Sequence, residues 1–134
     1  MRNMLERIKR ETSMPDNFTP LTHEEIEKSL TVLPKRIYDQ GIICVNLKEE
    51  WMLLKAEYTL EQARVLITNK AKDKNLTVAE LKLSVIKDTY ELRLKCIKAE
   101  ATHNRAEVLH KELDDKFAAV RKLVEFLKVT QERG

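Results

Sequence analysis

Residues 68–82, TNKAKDKNLTVAELK, change character halfway along. The first half is basic and carries almost nothing to bury; the second half opens like a helix. Thr77-Val78-Ala79-Glu80 has the spacing of a capping box, in which hydroxyl and carboxylate satisfy backbone donors left free at a helix start. Periodic apolar residues flank the stretch on both sides. Upstream, Leu47, Trp51, Leu54 and Tyr58 step by 4, 3 and 4, and Val65 resumes that face after Glu61 and Gln62. Downstream, a seam begins with Val78, Leu81, Val85 and Thr89, passes Cys96, His103 and Ala106, and ends with Val120, Val124 and Leu127. Two helices whose seams must meet, joined by a polar turn at 70–76, form an antiparallel α-helical hairpin.

Composition agrees. Among 134 residues there are 2 Gly, 3 Pro and 5% aromatics, against 35% charged side chains. Strands need β-branched and aromatic runs between Gly-rich turns, and these are scarce. The expected class is all-α. Residues 21–134 read as a single helical domain, long enough for a modest core. Residues 1–20 read as a flexible segment, with Met4, Leu5 and Ile8 on one side of a short amphipathic turn, followed by the linker TSMPDNFTP (12–20). A first, shorter helix starts at Thr22 with its own Thr-x-x-Glu box and continues through Ile26, Leu30 and Leu33. Pro34 should kink it, because proline lacks an amide proton and crowds the preceding turn. A short piece then closes at Gly41, a natural left-handed stop. Cys44 and Cys96 lack metal or redox spacing, which suits a reducing compartment. MRNMLERIKRE does not read as a secretory leader, and no 18-residue apolar span follows. The expected setting is soluble and cytoplasmic.

Counting residues implies a partner. A helix of about 27 residues from Asn46 reaches about 40 Å, whereas the stretch from 78 onward, if unbroken, has about 54 residues and reaches about 80 Å. The shorter arm then covers the longer one only to about His103. Leu109, Leu113, Phe117, Val120, Val124 and Leu127 are left as an apolar stripe, each worth roughly 1.5–3 kcal/mol when buried. Either the helix at 22–40 folds back onto the stripe or another subunit covers it, and both are expected to contribute. The architecture is therefore an oligomeric helical bundle, with those six residues at its interface.

Charge is placed unevenly. Residues 69–98 hold eight basic side chains against four acidic ones, or +4 locally, in a chain whose net charge is +3. Lys70, Lys72, Lys74, Lys82, Lys87, Lys95 and Lys98 are the candidate nucleic-acid contacts. On a helical wheel Lys87, Lys95, Lys98 and Arg105 fall within about 80° of one another. Each lysine that neutralises a phosphate releases a condensed counterion, so such a stripe favours a polyanion. A solvated hairpin tip would look the same, and both readings stay open here. Single-strand binders usually add stacking aromatics, and only Tyr90 lies near.

Glu100-Ala-Thr-His103 and Glu107-Val-Leu-His110 repeat the Glu-x-x-His spacing of di-iron bundles. Those bundles place the two motifs on different helices. Here both lie on one helix about 10 Å apart along its axis, so one dinuclear site cannot use both within a chain. No metal and no cofactor is expected, and His103 is read as a satisfied or interface histidine. There is no Gly-rich phosphate loop, zinc-type cysteine pair or nucleophile beside a base, so no catalytic residues are assigned. Trp51 is read as a core anchor, with Met52 and Leu53 widening its stripe toward the first helix.

The block WMLLKAEYTLEQARVLITNKAKDKNLTVAELK, followed by a long Lys/Glu/Leu helix, resembles the small helical proteins of phage recombination modules, and among these the UvsY-type recombination mediators. The resemblance covers roughly residues 46–128 and rests on layout: an aromatic-bearing helix, a basic turn and a Thr-capped long helix. It implies a non-enzymatic homo-oligomer that binds single-stranded DNA without sequence preference. It also implies that the protein helps load a recombinase onto strands covered by a single-strand-binding protein. The competing expectation is a helical protein-binding adaptor or assembly factor with no nucleic-acid role.

Overall fold

The computed structural model describes residues 22–133, so the segment read as flexible, 1–20, lies outside the described residues. Three α-helices follow one another: α1 (His23–Lys72), α2 (Val78–Asp88) and α3 (Tyr90–Arg133). No strand occurs among the described residues, and the all-α class stands. None of these helices is long and apolar enough to cross a membrane.

α1 corrects the expected break. It runs for 50 residues with Pro34 inside it and without a stop at Gly41. Buried or half-buried positions recur in alternating steps of 4 and 3 from Ile26 through Leu33, Cys44, Trp51 and Val65 to Thr68, the period of a coiled-coil seam. Pro34 occupies an exposed position beside that seam. An interior proline costs ~3 kcal/mol, which the burial of Ile26, Leu30 and Leu33 on the preceding turns offsets at roughly 1.5–3 kcal/mol per side chain. The start of α1 carries the expected box: Glu25 N–H donates to Thr22 Oγ1 and Thr22 N–H to Glu25 Oε2, both at 3.2 Å.

The long C-terminal helix is divided once, at Thr89. This residue has φ −109° and ψ 11°, and its amide N–H donates to the Val85 carbonyl. Its hydroxyl donates to the same oxygen at 2.7 Å, and the side chain is buried. A threonine that bonds back to the preceding turn locally disturbs the helix ladder. The seam changes step at the same place. Leu81, Val85 and Thr89 are spaced by 4 and 4, after which Leu92, Cys96, Ala99 and His103 return to steps of 3, 4, 3 and 4. An additional four-residue step of this kind is a stutter in a heptad pattern.

The described chain forms two compact units, one spanning Ile42–Glu107, the other combining the chain up to Gly41 with that from Val108 onward. In the second, Ile26 and Leu33 pack with Val120 and Leu123, and Leu30, Leu113, Phe117, Val124 and Leu127 surround them. Of the two covers expected for the apolar stripe, the first is present: residues of the 22–40 stretch fold against it within the chain. In the Ile42–Glu107 unit α1 runs antiparallel to α2 and to the start of α3. The Cys96 thiol donates to the Leu54 carbonyl at 3.2 Å, and the Asn69 amide donates to Ser84 Oγ and Asp88 Oδ2, each at 3.0 Å.

Candidate nucleic-acid interface

The hairpin tip is built by local hydrogen bonds. α1 ends as Asp73 N–H reaches the Asn69 carbonyl at 3.2 Å. Asp73 Oδ1 then accepts the Asn75 amide at 3.0 Å, an Asx turn that reverses the chain with side-chain rather than ladder bonds. Thr77 caps α2, accepting the Glu80 amide at 3.2 Å and donating its hydroxyl to Glu80 Oε1 at 3.0 Å. Only the first bond follows the expected box. The carboxylate takes the hydroxyl proton instead of the Thr77 backbone donor.

All seven candidate lysines are exposed. Lys70 donates to the Leu76 carbonyl at 3.5 Å, which ties it to the turn, while Lys72 and Lys74 project from the tip. Among the described residues none of the seven forms an ion pair within 4.0 Å. The acidic side chains of the same stretch are engaged elsewhere: Asp73 in the Asx turn, Glu80 in the cap, Asp88 on the Asn69 amide. Three of the four carboxylates thus spend their hydrogen bonds on neutral donors, and none of the three forms an ion pair with these lysines. The expected stripe is divided by Thr89, with Lys87 on α2 and Lys95, Lys98 and Arg105 on α3. Arg105 donates to Thr102 Oγ1 of its own helix at 3.4 Å. Tyr90 is 55% exposed, so its ring is open to a stacking partner. Sequence reasoning passed over Asn69, which fixes the two arms; its signal was a polar residue at a half-buried seam-edge position.

The other candidates have different surroundings. His103 is 4% exposed and stacks on Trp51, with ring centroids 5.7 Å apart and planes at 24°. Its Nε2 lies 3.1 Å from Glu107 Oε1. That approach lacks hydrogen-bond alignment, and both ring nitrogens remain unsatisfied. Of the two readings of His103, satisfied or interface, the first does not hold within the chain. His110 Nδ1 lies 3.7 Å from Asp114 Oδ2. Each histidine thus meets the acid four residues on, rather than the glutamate of its own Glu-x-x-His. No three His, Cys, Asp or Glu side chains among the described residues gather as metal ligands. Burial pushes the Cys96 thiol up, with the nearby Glu57 carboxylate adding to the effect.

Of the six residues assigned to an oligomer interface, Val120 is 0% exposed within its own chain, and Leu113, Phe117, Val124 and Leu127 are half-buried in the same cluster. Leu109 stays open at 46%. Met52 and Leu53 do not widen the core stripe as expected; they are 47% and 66% exposed. The chain matches no protein-family model, and no curated protein or solved structure is significantly similar to it.

Proposed function

We propose that this protein is a non-enzymatic accessory protein that binds single-stranded nucleic acid through the lysines of its hairpin and acts as part of a homo-oligomer. The observation that carries the reading is the state of the charges at 69–98. Seven exposed lysines carry no ion pair, while Asp73, Glu80 and Asp88 are committed to the turn, the cap and Asn69. Phosphates would meet unneutralised ammonium groups, and the energy would come from counterion release, without base readout. Assistance to a recombinase on strands coated by a single-strand-binding protein belongs to the same proposal and rests on the layout resemblance.

Titration of labelled single-stranded DNA at two salt concentrations tests it. Replacing Lys70, Lys72 and Lys74 together by Ala should weaken binding equally for all sequences and reduce the salt slope by up to about 0.7 per lost phosphate contact. Thr77→Ala is the matched control: it removes a cap worth about 1 kcal/mol and leaves every lysine in place. Unchanged affinity in the triple variant would refute the lysine reading. A second reading, a helical protein-binding adaptor, is favoured by one specific observation, the run of exposed apolar residues along the outer side of α1.

A further inference from the structure

The seam of α1 uses one side of the helix, yet a second apolar pattern runs along the opposite side. Leu53, Ala56, Leu60, Ala63 and Ile67 repeat at steps of 3, 4, 3 and 4. All five are exposed, the three large ones at 66%, 73% and 70%. At 100° per residue this row lies roughly opposite the core row of Leu54, Tyr58, Glu61 and Val65. Met52 and Leu66, both partly exposed, widen it on one flank, and Leu66 continues with Ala63 into an open groove shared with Val85 and Ile86 of α2. Glu57 and Arg64 line the other flank. Contiguous exposed apolar faces of this kind mark interaction sites.

We infer that this outer face of α1 pairs antiparallel with the same face of a second copy of the chain, about a two-fold axis passing between Glu61 and Gln62. The pattern is self-complementary in the way a two-fold interface requires. In that register Leu60 of each copy faces Ala63 of the other and Ile67 faces Ala56, so these layers set a large residue against a small one, while Leu53 at either end meets the aliphatic stem of Lys70. Alanine opposite leucine lets two helices approach closely. The charges select the register and the direction. Glu57 of each copy comes beside Arg64 of the other, twice, with no like charges opposed. Sliding the helices by one heptad brings Glu57 against Glu57, and a parallel pairing sets Glu57 against the uncharged Met52 or Thr59. Arg64 already shares a salt bridge with Glu61 of its own chain and remains exposed, so its guanidinium can bridge two carboxylates. The inferred contact replaces the 109–127 stripe as the self-association surface and does not depend on nucleic-acid binding.

Sedimentation of the full chain from 1 to 100 μM, with helix content followed by circular dichroism, decides the matter. The wild-type chain should associate with increasing concentration. Leu60→Asp, at a position 73% exposed, should keep its helix content and raise the dissociation constant at least about 10-fold. Glu57→Arg and Arg64→Glu should each weaken association, and the double exchange should restore most of it, as expected for a pair that meets across the axis. A chain that stays monomeric at 100 μM would leave this face to a helix of another protein and overturn the self-pairing. Association untouched by Leu60→Asp would overturn the choice of face. A double exchange no tighter than the single ones would overturn the antiparallel register.

Discussion

His103 occupies a seam position where the pattern calls for an apolar side chain, and its ring behaves as one. It stacks on Trp51, whose other neighbour is the Lys55 ammonium, 5.7 Å from the indole centroid. Neither imidazole nitrogen has an aligned hydrogen-bond partner within the chain, and Nε2 has only the approach of Glu107 at 3.1 Å. Leaving a buried polar group unsatisfied costs roughly 1–3 kcal/mol. His103→Phe keeps an aromatic ring against Trp51 and removes both nitrogens. It should raise stability by about 1 kcal/mol, read as a higher urea midpoint at unchanged slope. A lower midpoint would mean that the contact with Glu107 contributes more than its geometry suggests.

Helix α1 passes two residues that usually end helices. Gly41 lies within it without the positive φ of a left-handed stop, and a Cβ placed there would meet His110 Nε2 at 3.5 Å, an ordinary contact. Glycine inside a helix costs roughly 0.5–1 kcal/mol relative to alanine, because its unfolded backbone has more freedom to lose. Gly41→Ala should therefore stabilise the protein by about that amount in thermal or urea unfolding. A loss instead would show that the close approach of His110 requires a bare backbone. The end of the same helix is more conventional. Thr77 and the Asx turn at Asp73 satisfy local donors at the hairpin tip, and the Thr77 cap was legible because it depends on residues three apart.

For the whole molecule the question is which apolar surface the chain covers by itself. The cluster around Leu33 and Val120 joins the beginning of α1 to the end of α3. Leu33 is 3% exposed, so Leu33→Ala should remove packing and leave a cavity at a cost of about 2–5 kcal/mol. Measured in the Leu60→Asp background, where self-pairing is weakened, the unfolding midpoint should not vary with protein concentration. A midpoint that rises with concentration there would return the 109–127 stripe to an interface between chains.

The exposure of the seven lysines was legible from sequence because an unpaired ammonium is almost never buried. The engagement of Asp88 was not, since its partner Asn69 lies nineteen residues away on another helix. The same division holds for the fold. Periodicity and composition determined by themselves that the chain is helical, that it reverses within 70–76, and that Thr22 and Thr77 cap helix starts. These are local matters of side-chain spacing and backbone donors. Only the tertiary structure decided that α1 continues through Pro34 and Gly41, because their local costs are outweighed by burying Ile26, Leu30 and Leu33 against α3. It also decided which apolar row is covered. A sequence shows that a helix face is apolar, but the face is dry or wet according to what packs on it, and that partner lies nearly a hundred residues away for Ile26 and Leu33.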